Sequence, residues 1–256
     1  MADTAEEMFV NGSEQGARPE AAATARPRVK SGVTTALALD ICTSVFQPGS
    51  FLPRENDLCE RYGVSRTVIR EALKVLEAKG LVRGRSRVGT VVCERDEWNI
   101  IDPQLIEWLG DTILELGLLE CILEARQVIE PAAAVLAAEK ASLQEIADLE
   151  QAWQMMRDSE HDPVAFTEAD AQFHACLLKA SHNQVFAQLA RTIEAALNYM
   201  LQQSNNAVVT REEAVRAHGL LVEALRMRDS AAAQRHSLGI LELSARDLKL
   251  VKAETP

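Results

Sequence analysis

Aromatic residues make up only 4% of this 256-residue chain, and there are just 12 glycines. Scarce glycine beside plentiful Ala and Leu argues against a fold built mainly of strands and tight turns, and for helix. No apolar run is long enough to cross a bilayer, so no membrane partner is expected. The opening stretch, MADTAEEMFVNGSEQGARPEAAATARPR, has acids where a secretory signal needs bases, and no apolar core follows them. Its composition predicts a disordered tail over 1–27. The cysteines, Cys42, Cys59, Cys93, Cys121 and Cys176, are odd in number, scattered and free of any CxxC pair. That excludes a disulfide frame and a cysteine-rich zinc site, and predicts reduced thiols in the cytoplasm. There is no internal repeat.

What is present is a globular balance, 47% hydrophobic and 25% charged, enough for one large or two modest domains. The net charge of −11 is unevenly spread: −3 over residues 1–27, +5 over 28–95 and −13 over 96–256. A small basic segment joined to a large acidic one predicts two domains with different partners.

In the basic segment, VTTALALDICTSVF (33–46) has helical spacing and ends at QPGS. A short helix is predicted from Glu55 to Tyr62. Gly63 turns the chain, Ser65 caps the next helix, and SRTVIREALKVLEAKG (65–80) is the strongest helical pattern here. Val68, Ile69, Ala72, Leu73, Val75 and Leu76 form its buried side. Arg66, Thr67 and Arg70 crowd its exposed first turns. LVRGRSRVGTVV (81–92) then reads as two short strands around a basic turn. This order is that of a winged helix-turn-helix. The first turn of a recognition helix meets base edges in the major groove, where Arg reads guanine bidentately and Thr meets a thymine methyl. Wing arginines Arg83, Arg85 and Arg87 suit phosphates or a minor groove. A merely solvated basic face is the plainer alternative.

The stretch PGSFLPRENDLCERYGVSRTVIREALKVLEAKGLV resembles the GntR-type winged helix over about sixty residues. The resemblance implies double-stranded DNA as partner, with Ser65, Arg66, Thr67 and Arg70 at the operator and Arg85, Arg87 and Gly89 in the wing. The family's Ser after Leu-Pro is Arg54 here, and its Arg two positions on is Asn56, so a DNA contact of the second helix falls to Arg54.

The acidic segment begins with WNIIDPQLIEWLG, a linker and short helix over 96–111. Helical patterns follow over roughly 113–140, 143–158, 163–180, 184–204, 211–228 and 230–252, without strand alternation. The fold class expected is therefore mainly α: an N-terminal winged helix-turn-helix (28–95) and a C-terminal all-helical bundle of six or seven helices (112–256). Within it, DAQFH sets Asp170 and His174 one turn apart on one helical face. Such a pair serves a metal or is simply a polar pair in a core. EARQVIEPAAAVLAAEKA, EADAQFHACLLKASHN and AHGLLVEALRMRDSAAA resemble the FCD domain, the helical effector domain of the FadR branch of the GntR superfamily. Many members hold a metal with one Asp and three His, which implies Asp170, His174 and His218 as ligands here. The position near the third His is Ile240, and His236 lies more than a turn earlier. Three protein ligands leave positions open for water or an effector oxygen. Their chemistry suits a divalent ion, zinc ahead of nickel, manganese or iron.

Arg126, in an apolar helix, needs either Glu130 or a bound anion as partner. Arg246 on the last helix is a second anion-clamp candidate. The branch's effectors are mostly carboxylates, and WNIIDPQLIEW together with the missing last His looks most like its sugar-acid, galactonate-type regulators. The expectation is a repressor working as a homodimer on a palindromic operator. Two readings stay open beside it: a metal-dependent enzyme on Asp170, His174 and His218, and a helical scaffold with a DNA-binding arm.

Overall fold

The structure is a computed structural model that describes residues 26–110, 112–204 and 211–254. The tail expected over 1–27 lies outside them up to residue 25. Its last two residues are already helical, because the first helix, α1, runs Arg26–Cys42. That helix stops short of the expected 46, since Ser44 turns left-handed at φ 61°. Helix α2 (Glu55–Tyr62) and helix α3 (Arg66–Ala78) follow, joined through Gly63 at φ 64°. Strands β1 (Val82–Arg85) and β2 (Gly89–Val92) pair antiparallel with Val82 opposite Val92. Phe51 bridges Val91 at the open edge of this ribbon. Helix α3 buries Ile69, Ala72 and Leu76. Val75, expected inside, is 40% exposed instead. It falls between the buried stripe and the solvent face.

The linker is anchored to this domain. Asn99 N–H donates to the Lys79 carbonyl at 3.0 Å. Lys79 Nζ reaches Asp102 Oδ2 at 2.7 Å and stands over the Trp108 ring. A side chain at Gly80, φ 74°, would strike the Glu97 carbonyl at 2.4 Å, so only glycine lets the two segments close. Helix α4 (Pro103–Leu109) starts with Pro103 behind the N-cap Asp102, whose Oδ1 accepts from Gln104 N at 3.0 Å. It buries Leu105, Ile106, Trp108 and Leu109, packing on α1.

The bundle comprises α5 (Thr112–Glu115), α6 (Leu118–Lys140), α7 (Leu143–Asp158), α8 (Pro163–Ala180), α9 (Gln184–Ser204), α10 (Glu212–Arg226) and α11 (Ser230–Glu254). The helix expected over 113–140 is two, because Gly117 takes φ 63° between α5 and α6. Helix α8 lies against α6, α7 and α9, while α10 contacts α6, α7 and α11. Helix α4 also packs on α9, so it touches both halves of the molecule. Ile240 is 3% exposed and belongs to the bundle's apolar core. Among the described residues, no helix is long and apolar enough to cross a membrane.

Candidate functional sites

The basic face on α2, α3 and the wing is solvent-exposed. Arg54, Ser65, Arg66, Thr67, Arg70, Arg85, Arg87 and Gly89 are all exposed. Among the described residues, the side chains of Arg54, Arg66, Arg85 and Arg87 form no ion pair, so their charge is available to phosphate or base. Arg70 is different: its Nε donates to both oxygens of Glu55, at 3.0 and 2.9 Å. Glu55 thereby orients Arg70 from the neighbouring helix through Nε, and the two terminal nitrogens take no part in that pair. Arg83 pairs at the surface with Glu97, at 2.6 Å, so it links the wing to the linker and is not a free wing cation. Ser65 occupies the N-cap position of α3 but makes no side-chain capping bond. Its hydroxyl remains available to a partner outside the chain.

In the bundle, Asp170 and His174 lie one turn apart on α8, and His218 meets them from α10. Their ligating atoms fall within 4.8 Å of one another. His174 and His218 are each 2% exposed. Phe173 packs edge-on against the His218 ring with centroids 4.7 Å apart. Trp153 on α7 packs against α10: its indole N–H donates to the Val215 carbonyl at 2.9 Å, and its ring lies so close to Gly219 that a Cβ there would meet it at 3.0 Å.

Hydrogen bonding settles which nitrogen the His218 ring turns to the centre. His218 Nδ1 lies 2.8 Å from the Ala214 carbonyl, an acceptor, so the proton sits on Nδ1. His218 Nε2 is then a lone pair, 3.1 Å from the carboxylate oxygen Oδ1 of Asp170. Two acceptors face each other, and Nε2 has no hydrogen-bond partner although it is buried. A cation between them, a proton or a metal ion, resolves that conflict. His174 Nε2 lies 3.6 Å from the same Oδ1.

Behind His174 stands a residue that the sequence pattern offered only as a partner for Arg126. Glu130 Oε2 approaches His174 Nδ1 to 2.7 Å. The two atoms are close but poorly aligned, because neither makes a hydrogen bond of good geometry. Glu130 Oε1 accepts from Arg126 Nε at 2.6 Å, the internal pair considered in the sequence. Arg126 Nη2 also lies 3.0 Å from His174 Nε2.

Burial raises the Glu130 carboxyl, but Arg126 and His174 outweigh it and bring the pKa to about 2. Burial likewise opposes ionisation of Asp170, and His174 and His218 prevail, holding it below the usual carboxylate range. For His174, burial and Arg126 favour the neutral ring, while Glu130 and Asp170 pull it the other way, to about 9. A doubly protonated ring would aim its Nε2–H at the Arg126 donor 3.0 Å away. The contact geometry therefore fits the neutral ring with its proton on Nδ1. With neutral imidazoles, Asp170, Glu130 and Arg126 leave one excess negative charge in a buried space.

Arg246 does not join this set. It lies on the surface, its side chain 54% exposed, paired with Glu213 at 2.9 Å and with Asp247. Its position on the outer side of α11 removes it as an interior anion clamp. His236 is half-buried.

Residues 30–92 match the family described as bacterial regulatory proteins, gntR family, and residues 121–243 match the FCD domain. The galactonate operon transcriptional repressor of Escherichia coli is 31% identical over 218 residues, covering 85% of this chain and 95% of its own. The Uxu operon transcriptional regulator of the same organism is 33% identical over 153 residues, covering 59% of this chain and 58% of its own. Among solved structures, Lar, described as controlling the agr system of Listeria monocytogenes, aligns with TM-score 0.62 and 18% identity. It covers 88% of this chain and 97% of its own, and at that identity the likeness is one of fold.

Proposed function

The chain belongs to the gntR family of bacterial regulatory proteins, in the branch carrying an FCD domain, and on that premise we propose how its response to ligand is built. It is a ligand-responsive DNA-binding transcriptional regulator and not an enzyme. The proposal is that Asp170, His174 and His218 hold a divalent ion, zinc first among the candidates, and that a small carboxylate effector completes its coordination and pairs with Arg126.

The observation that carries this reading is the buried lone pair of His218 Nε2 aimed at Asp170 Oδ1 across 3.1 Å. The surrounding chemistry supports a metal over a proton. Each ring offers Nε2 to the centre and has its Nδ1 beside an oxygen, the Ala214 carbonyl or the Glu130 carboxylate. That is how ligating imidazoles are oriented. Charge also supports it: a divalent ion turns the one excess negative charge into one excess positive charge, and one effector carboxylate restores neutrality. Arg126 Nη2 and the ion need the same lone pair of His174, so loading the ion frees Nη2 for the effector. When bound, the ion supplies electrophilic positions for carboxylate and hydroxyl oxygens.

Sugar acids are the effector class we assign, because α-hydroxy carboxylates chelate through two oxygens, and because relatives are named for galactonate and Uxu operons. The DNA face is assigned to Arg54, Ser65, Arg66, Thr67, Arg70, Arg85, Arg87 and Gly89. A homodimer on a palindromic operator follows from the few base pairs one recognition helix can read. Effector then changes the spacing of the two reading heads and releases DNA, which makes the protein a repressor. It can do so only by its differential affinity for the two states, typically about 1–3 kcal/mol. The test is a thermal-shift screen of sugar acids on metal-stripped and zinc-loaded protein. A metal-dependent rise in melting temperature with one of them is expected; equal shifts with and without metal would contradict the site.

A further inference from the structure

We propose that a cavity between α6, α9 and the linker is a second ligand site, built for a small carboxylate with a compact hydrocarbon body. It shares Arg126 with the metal-linked reading above, but Asp170, His174 and His218 do not line it, and it does not depend on their holding a metal.

The cavity is open on one side, has a volume of about 140 Å³ and is walled almost wholly by hydrocarbon. Helix α6 contributes Leu118, Ile122 and Ile129, helix α9 contributes Leu189 and Ile193, and the linker closes one side with Ile100 and Ile101. An apolar cavity of about 150 Å³ is large enough for a benzene-sized molecule. Size and lining therefore suit a ring or a short branched chain. A polyhydroxylated body does not suit it, because hydroxyls pressed against these walls would lose their hydrogen bonds to water without replacement.

One charged side chain lines the cavity, Arg126, which is 2% exposed. Its Nε is taken by Glu130 and its Nη2 lies on His174. Among the described residues, Nη1 makes no hydrogen bond. A buried guanidinium with an unused donor beside a hydrocarbon cavity selects an anion whose remainder is apolar. The polar atom nearest in kind, Thr192 Oγ1, is already committed: it donates to the Ile101 carbonyl at 2.6 Å. That bond ties α9 to the linker, so a ligand here touches the segment that runs on to Asp102 and its ion pair with Lys79 in the winged domain. Ile100 and Ile101 of the linker and Cys121 and Ala125 of α6 are exposed, which puts the mouth between the linker and α6.

The experiment uses the full-length protein and benzoate as probe, with benzyl alcohol as an uncharged analogue of similar size. Binding is measured by calorimetry on wild type, Ala125→Trp, Ala125→Ser and His218→Ala. Ala125 lines the cavity and is itself exposed, so a Trp there can cover the mouth without disturbing the core. Benzoate should bind wild type, Ala125→Ser and His218→Ala alike, with affinity for Ala125→Trp and affinity of benzyl alcohol for wild type each lower by roughly tenfold or more. Zinc content of Ala125→Trp should equal that of wild type. No benzoate binding to wild type, or equal binding to Ala125→Trp, overturns the proposal. Loss of benzoate binding in His218→Ala overturns it as well, by placing the ligand at the metal set. If Ala125→Trp instead changes the oligomeric state, the cavity is covered by a second copy and the proposal fails. Failure of the metal reading would appear separately, as absent zinc in wild type with benzoate binding intact.

Discussion

Glu130→Gln isolates the part of the site that was least visible from sequence. Glu130 is 1% exposed, with Oε1 on Arg126 Nε at 2.6 Å and Oε2 2.7 Å from His174 Nδ1. Glutamine keeps the size and one acceptor for Arg126 but loses the charge that favours a proton on His174 Nδ1 and a lone pair on Nε2. Removing such a supporting partner lowers metal affinity by about 10–100-fold, which is roughly 1.4–2.8 kcal/mol. A fold penalty accompanies it, because Arg126 loses its counter-charge. Removing one partner of a buried pair outright costs about 3–5 kcal/mol, and the retained amide acceptor should keep the loss below that range. The assay is zinc titration of stripped protein against a chromophoric chelator, with circular dichroism as the check on folding. A folded variant that binds zinc within twofold of wild type would refute the reasoning that Glu130 orients His174 as a ligand.

Arg66→Ala should weaken operator binding by roughly 1–3 kcal/mol if the side chain reads a base. Arg85→Ala in the wing should instead lower the salt slope of binding by about one unit, both read by fluorescence anisotropy at several salt concentrations. Asp102→Ala removes an N-cap and the partner of Lys79, and should lower stability by about 1–2 kcal/mol in a denaturant titration; Asp102→Asn, which keeps the cap, should recover part of that loss. Light scattering at micromolar concentration should report a dimer, and a monomer that binds the operator without cooperativity would contradict the two-fold reading.

The winged domain was legible because each local signal agreed with the next: Pro48-Gly49, Gly63, Ser65 and the apolar stripe at 69, 72 and 76 all recur in the structure as turn, cap position and buried face. The split between α5 and α6 was missed because Gly117 sits in a run whose apolar spacing continues on both sides. Arg83 read as a wing cation because its partner, Glu97, is fourteen residues away, and a pairing across a ribbon and a linker leaves no periodic trace. The i, i+4 pairs Asp170–His174 and Arg126–Glu130 were readable from helix geometry. That His218 faces Asp170, and that Glu130 backs His174, depend on how α6, α8 and α10 pack, which spacing along the chain does not encode. Arg246 looked like an interior candidate on the last helix, and its outward face is likewise decided by packing against α10.

The central claim, that metal held by Asp170, His174 and His218 carries the effector signal to DNA, is tested most directly by operator titration with and without a sugar acid on wild type and His218→Ala, with metal content measured on the same samples. The account predicts stoichiometric metal and effector-dependent release in wild type. In His218→Ala it predicts metal lost, release abolished and operator affinity without effector largely intact. A His218→Ala protein that still releases DNA as wild type does would contradict it, and would leave Asp170, His174 and His218 as a polar cluster in the core of the bundle.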